Sequence, residues 1–315
     1  MSPVQEHVSL RDITWFKTGG VGDYYVVCHT LSELIQAVKE AYFLHVPYLI
    51  MGQSSNMLMS DSGFPGIVIH NQTQGMMFLH DRTQIMVESG TPLNQLVTRT
   101  ISNGYSGLEF LAGIPGTMGG AVYNNVRAFG YELSNYVKSA TLLFPSERIT
   151  NESIKRVDNS WFKFGYATSK LKRKAEGVAS PMPVILSVTL QLSKMNPNTC
   201  FGRANEYWRL RHHDDPSTSA LMAFDSVRYD NAQLSWDKAV NQKPMEQKHY
   251  FLTQTDLRQW TKGEIYLFRD NPNFIINNGL GTSREARALV TTVQEAISSE
   301  DSRLAVLIEY VGMWD

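Results

Sequence analysis

The stretch AGIPGTMGGAVYNN at 112–125 places four glycines, Gly113, Gly116, Gly119 and Gly120, within eight residues, and its only hydroxyl besides the tyrosine is that of Thr117. Glycine loses more conformational entropy on folding than any other residue, so such a cluster points to positive φ angles or to a group lying directly on the backbone. Amides left free by a turn of this kind can face a phosphate, and the missing side chains let a pyrophosphate approach closely. The spacing is neither the dinucleotide pattern GxGxxG nor the phosphate loop ending in Gly-Lys-Ser/Thr. Taken alone, it fits a tight turn between packed strands equally well.

A second stretch, MGQSSNMLMSDSGFPG at 51–66, sets Gly52, Ser54, Ser55 and Asn56 directly after the apolar PYLI. A chain leaving a sheet there can offer amide and hydroxyl donors to a ligand. Two donor-rich turns in one domain suggest a large anionic cofactor held at both ends. In RLRHHDDP (209–216), His212, His213, Asp214 and Asp215 are adjacent. Neighbouring residues rarely face one ligand, so this is read as a solvated polar turn and no metal is expected. Arg203, Arg209 and Arg211 fit either a nucleotide diphosphate or an exposed helical face.

The elements that must position these turns are short. YYVVC (24–28), PYLIM (47–51), GIVIH (66–70) and QIMVES (84–89) read as strands bounded by turn formers. Between the first two, Leu31, Leu34, Val38 and Ala41 recur at helical spacing behind a Thr30–Glu33 capping box. A further helix runs over Leu93, Leu96, Val97 and Ile101, with Pro92 in its first turn and Gly104 as its stop. VKSATLLF and PVILSVTLQL add strands between 137 and 192, and KMNPNTC (194–200) reads as a linker. Thr282 and Glu285 form a second capping box before a helical face of Leu289, Val290, Val293 and Ile297, and LAVLIEYV reads as a closing strand. The layout is α+β or α/β.

The chain has 315 residues, 43% of them hydrophobic and 19% charged, as in ordinary soluble globular proteins. A net charge of −1 gives no long-range pull toward nucleic acid or anionic membrane, so neither is expected as a partner. Only Cys28 and Cys200 occur, far apart, which disfavours a disulfide framework or a cysteine zinc site and suits a reducing cytoplasm. No secretory leader pattern and no apolar run of membrane-spanning length is read.

In order along the chain, TWFKTGGVGDYYVV, LIMGQSSNMLMSDSGFPGIVI, GLEFLAGIPGTMGGAVYNN, FKFGYATSK and NPNFIINNGLGTS resemble the UDP-N-acetylenolpyruvoylglucosamine reductase family. The likeness is good over 10–192, moderate over 271–312 and weak over 200–270. It implies an α+β, p-cresol-methylhydroxylase-type fold, with FAD-binding subdomains at 1–70 and 71–195 and a smaller α+β substrate-side domain at 201–315. It implies FAD, with NADPH as electron donor and a small-molecule substrate; the glycine stretch is intact and no attachment histidine or cysteine is matched, so the FAD is expected without a covalent link. The FAD pyrophosphate and flavin edge are assigned to Gly52, Gln53, Ser54, Ser55, Asn56, Met57, Gly113, Ile114, Pro115, Gly116, Thr117, Gly119, Gly120, Ala121 and Asn124.

Departures accompany the likeness. The family's FGYR arginine, which holds substrate and stabilises the enolate, falls on Ala167, although Tyr166 and Ser169 are kept. The family's glutamate falls on Leu307, and its proton-donating serine aligns with Met222, with Ser217, Ser219 or Ser226 as substitutes if the register slips. Arg127 stands where the family has a glycine. Ala, Leu and Met in place of a cation, an anion and a hydroxyl predict an apolar pocket for a less charged ligand. They also predict a repurposed flavoenzyme with Tyr166 as proton carrier or orienting group, and no useful cell-wall reduction. Two alternatives stand beside this: the family reduction carried by substitute residues, and a non-catalytic flavin-binding protein.

Overall fold

The computed structural model describes residues 2–79, 83–146, 150–175, 182–212, 219–224, 260–268, 271, 273–297 and 306–314. The chain divides into two compact units. The first comprises 1–6, 24–53 and 66–208, and the second 7–23, 54–65 and 209–315.

The first unit is built on a five-stranded antiparallel sheet in the order Ile154–Asp158, Val137–Leu143, Val184–Gln191, Gln84–Glu88, Met76–Phe78. In Gln84–Glu88 the alternation is regular, with Ile85 and Val87 fully buried between half-buried neighbours. The more central Val184–Gln191 is buried along both faces, which accounts for its nearly unbroken apolar run. Tyr48–Met51 pairs in parallel with 67–70 of Phe64–Asn71, the arrangement expected when a helix makes the crossover. That helix is Leu31–Phe43. Its Thr30 hydroxyl accepts the Glu33 amide and the Glu33 carboxylate accepts the Thr30 amide, so the capping box read from the sequence is formed. Leu34, Ala37 and Val38 of its inner face close on Val26, Cys28 and Ile69, and on Leu143, Val184 and Leu186 from the larger sheet.

Two boundaries differ from the sequence reading. Pro92 lies just outside the helix Leu93–Ser102, in extended conformation at φ −61° and ψ 137°, because Pro92 and Thr117 form an antiparallel bridge. The supposed linker 194–200 carries the start of the helix Pro197–His212, since proline lacks only an amide hydrogen that the first helical turn does not use.

The second unit has an antiparallel sheet ordered Ala220–Met222, Phe274–Asn277, Ile265–Leu267, Thr261–Lys262. The helix Ser283–Ile297 covers it: Ala286, Leu289, Val290 and Val293 are buried with Leu221, Ile265, Leu267 and Ile275. The Thr282–Glu285 capping box is formed, at 3.1 and 2.8 Å. The closing strand is shorter than its apolar run, Glu309–Val311, and pairs in parallel with Met57–Met59. Asn277, only 3% exposed, ties this unit together. Its amide donates to the carbonyls of Phe16 and Lys17, and its carbonyl accepts from Gly279 and Gly281.

Candidate functional site

In the first unit the glycine stretch is stitched to the segment that follows the strand Gln84–Glu88. The amides of Leu93, Met118 and Gly119 donate to the carbonyls of Gly116, Thr91 and Ser89 at 2.9, 2.9 and 2.7 Å. Gly113 and Gly116 take φ angles of +80° and +131°, which L side chains rarely adopt, so the turn itself requires them. Gly119 is tightly packed, since an added Cβ would lie 3.1 Å from the Cβ and carbonyl oxygen of Ser89, which would have to yield by a few tenths of an ångström. Gly120 differs. It is exposed, and an added Cβ would meet only the Thr117 hydroxyl, at 3.8 Å.

The two donor-rich turns meet within this unit. Gln53 Oε1 accepts the Gly116 amide at 2.7 Å, and a Cβ on Gly52 would fall 2.4 Å from Thr117 Oγ1. Gly52 is therefore bare because Thr117 lies against it. Of the amides in the stretch, those of Gly113, Ile114 and Gly116 are bonded to Asn94, Leu111 and Gln53. Among the described residues the amides of Thr117 and Gly120 have no hydrogen-bond partner. Two unengaged amides, one on an exposed glycine, are the donors a pyrophosphate oxygen takes, so the chemistry of this turn fits the expected cofactor. Ala121 is buried in the following helix, Met118–Tyr123, and Pro115 is exposed at the turn. Asn124 closes that helix by bonding the Gly120 carbonyl, and its own Oδ1 accepts Lys172 Nζ at 3.0 Å. Nothing local in the sequence marks Lys172, 48 residues away, as the partner of Asn124.

Ser54, Ser55, Asn56 and Met57 belong to the second unit. Ser54 is buried at φ +53° and accepts the Trp15 amide at 2.9 Å. Asn56 is engaged on both sides: its side-chain amide donates to Leu307 O at 2.7 Å, and its carbonyl accepts the Glu309 amide. The Leu307 amide bonds Ala223 O, so Leu307 lies on the chain next to Met222. Two of the departures therefore share one corner of this unit. Ser219 is present at φ +47°, while Ser217, Ser226 and 213–216 lie outside the described residues.

The third departure lies in the first unit. Gly165 and Thr168 exchange backbone hydrogen bonds, making Tyr166 and Ala167 the tip of a tight turn, with Ala167 at φ +48°. Ser169 is buried and donates to Tyr123 O at 2.7 Å. Tyr166 is exposed, and the Arg127 guanidinium lies 3.7 Å from its ring centroid. Among the described residues there is no cluster of three metal-ligating side chains and no helix long and apolar enough to cross a membrane.

Comparison with known proteins adds three findings. Residues 22–152 match the FAD binding domain family. The chain is 30% identical to the UDP-N-acetylenolpyruvoylglucosamine reductase of Chlamydia pneumoniae over 298 residues, covering 95% of this chain and 88% of that protein. It is 30% identical to the enzyme of that name from Anoxybacillus flavithermus over 302 residues, covering 93% and 89%. The crystal structure of the Thermus caldophilus reductase superposes over 98% of both chains with a TM-score of 0.74 at 23% identity, which shows a shared fold.

Proposed function

The chain belongs to the UDP-N-acetylenolpyruvoylglucosamine reductase family, and on that premise we propose that it reduces the enolpyruvyl double bond of a UDP-sugar. The bound FAD, recharged by NADPH, would supply the hydride. The observation that carries this reading is the junction of the two turns: Gln53 on Gly116, Thr117 against Gly52, and two amides without partners among the described residues. Gly120, Thr117 and Gln53 would hold the pyrophosphate. Likeness spanning 88–89% of two reductases favours the same reaction over a repurposed one.

The reading of a refitted apolar pocket rested on Ala167, Leu307 and Met222. Its first support weakens in the structure, since a guanidinium stands beside Tyr166 although residue 167 is alanine. Leu307 and Met222 remain apolar, and Tyr166 stays a candidate proton carrier. The test is NADPH oxidation by flavin-loaded protein with UDP-N-acetylglucosamine enolpyruvate. Turnover in the usual enzyme range of about 1–10³ per second is expected. Flavin-loaded protein that oxidises NADPH with other acceptors but leaves this substrate unchanged would overturn the reading in favour of repurposed chemistry. A failure to turn over any donor and acceptor pair would favour a non-catalytic flavoprotein.

A further inference from the structure

We propose that Arg127 is the substrate-carboxylate residue of this enzyme, reaching from a neighbouring hairpin to serve the turn whose own residue 167 is alanine. The proposal rests on the reductase reading above.

Arg127 and Glu132 face each other across a two-stranded antiparallel ladder, Arg127–Ala128 with Tyr131–Glu132. Phe129 at φ +53° and Gly130 at φ +79° form its two-residue loop. Positive φ at both central positions matches the strand twist and holds a short hairpin in register, so Arg127 is presented from a defined place. The hairpin is latched to the Tyr166 turn by Asn125, which is 1% exposed. Its side-chain amide donates to Gly165 O at 2.9 Å and to Glu132 Oε2 at 3.3 Å, and its carbonyl accepts the Ser134 amide. One buried side chain thus fixes the base of the Arg127 hairpin and the base of the Tyr166–Ala167 turn together.

The guanidinium at the end of this arrangement is incompletely used. One face lies on the Tyr166 ring. Among the described residues the carboxylate oxygen paired with it is Glu132 Oε1, 3.7 Å from Nη1 and beyond hydrogen-bond reach. Nη1 itself is shielded from solvent and, among the described residues, has no hydrogen-bond partner. A guanidinium presents a planar fork that matches a carboxylate with two parallel hydrogen bonds, and stacking on an aromatic ring pre-organises the plane. A planar cation with a shielded, unsatisfied donor fits an anionic ligand better than a finished structural pair.

In the proposed reaction, hydride adds to the terminal carbon of the enolpyruvyl group. The hydride's own pair makes the C–H bond there, the π pair of the double bond shifts through the adjacent carbon into the carboxylate, and a proton then takes that pair back to form a second C–H bond on the adjacent carbon. Negative charge on the carboxylate therefore grows during the step, and a fixed cation facing it stabilises the transition state more than the ground state. Ala167 leaves that position without a charge, and Arg127 supplies one from 40 residues earlier in the chain.

The test compares wild type, Arg127→Gln, Arg127→Lys and the double variant Arg127→Gln with Ala167→Arg, all as flavin-loaded protein. Affinity is read from the perturbation of flavin absorbance by UDP-N-acetylglucosamine enolpyruvate and by UDP-N-acetylglucosamine, which lacks the carboxylate. Arg127→Gln should weaken binding of the enolpyruvate at least tenfold, leave UDP-N-acetylglucosamine within twofold, and lower kcat by about 10²–10³. Restoring an arginine at 167 should recover at least tenfold of that loss. Arg127→Lys, the milder change for folding, should also lose tenfold or more, because the plane is lost although the charge stays. Unchanged enolpyruvate affinity in either single variant, equal weakening of both ligands, or no recovery in the double variant would overturn the proposal. A wild type that does not reduce the enolpyruvate sinks the reductase reading; an active wild type matched by Arg127→Gln sinks only this one.

Discussion

Asp61 and Ser283 cap each other from segments 222 residues apart in the chain. The Asp61 carboxylate accepts the amides of Ser283 and Arg284, both at 2.9 Å, and its own amide donates to the Ser283 hydroxyl at 2.7 Å. The helix Ser283–Ile297 therefore has two N-terminal amides satisfied by a side chain outside it, in addition to its own capping box. Replacing a capping carboxylate typically costs about 0.5–2 kcal/mol. Asp61→Ala should lower stability by that amount, and Asp61→Asn by less. Hydrogen exchange at the Ser283 and Arg284 amides checks it, since unchanged protection in Asp61→Ala would show that the helix start does not depend on this contact.

Gly52 and Thr117 set a second prediction. A methyl group on Gly52 would lie 2.4 Å from Thr117 Oγ1 and 2.9 Å from its Cγ2, so Gly52→Ala must push the two turns apart. Overpacking of this kind costs about 1–3 kcal/mol. Thr117→Ala removes both atoms, so the double variant should recover most of the loss. A double-mutant cycle in denaturant measures it, and additive effects would mean the contact does not govern the junction.

Gly119 and Gly120 should part company in cofactor binding. Gly119→Val would clash with Ser89 and disturb folding with or without flavin. Gly120→Val has open space around it, so the apoprotein should melt close to wild type while losing its yellow colour on gel filtration. Gly120→Val that keeps its flavin would remove the pyrophosphate from this turn.

A fourth prediction concerns acid. The Tyr25 hydroxyl lies 2.7 Å from His70 Nδ1, and burial holds the imidazole pKa below its ordinary value of 6.5. The folded state thus resists protonation that the unfolded chain accepts. The stability this gives is fully present above about pH 6.5 and is lost as pH falls toward the lowered folded value. His70→Phe removes the titration and should flatten the stability profile below about pH 6.5. An unaltered slope there would assign the acid sensitivity to other groups.

Local signals were legible in the sequence where the physics is local. Both capping boxes join residues three apart, and both are formed. The alternation of Ile85 and Val87 gave a strand face directly. Residues 194–200 read as a linker because asparagine and proline usually end helices, yet Pro197 starts one. Asn277 and Asp61 act over more than 200 residues and carry no local mark. The stack of Arg127 on Tyr166 was invisible for the same reason, so the substitution at 167 read as the loss of a charge that the structure provides from elsewhere.

The interleaving of the two units fixes an order of assembly during synthesis. Every segment of the first unit lies within the first 208 residues, whereas the second needs 7–23, 54–65 and the tail through Glu309–Val311, which pairs with Met57–Met59. A chain emerging from the ribosome can complete the first unit while 7–23 and 54–65 have only each other to pair with. At about 5–20 residues per second, residues 209–311 take roughly 5–20 s to appear. Through that interval Phe16 and Leu58 lack Leu221, Ile265, Leu289 and Val290, with which they share a buried cluster in the finished protein. A truncation ending before the last strand should therefore leave the first unit folded and the second a target for chaperones and proteases.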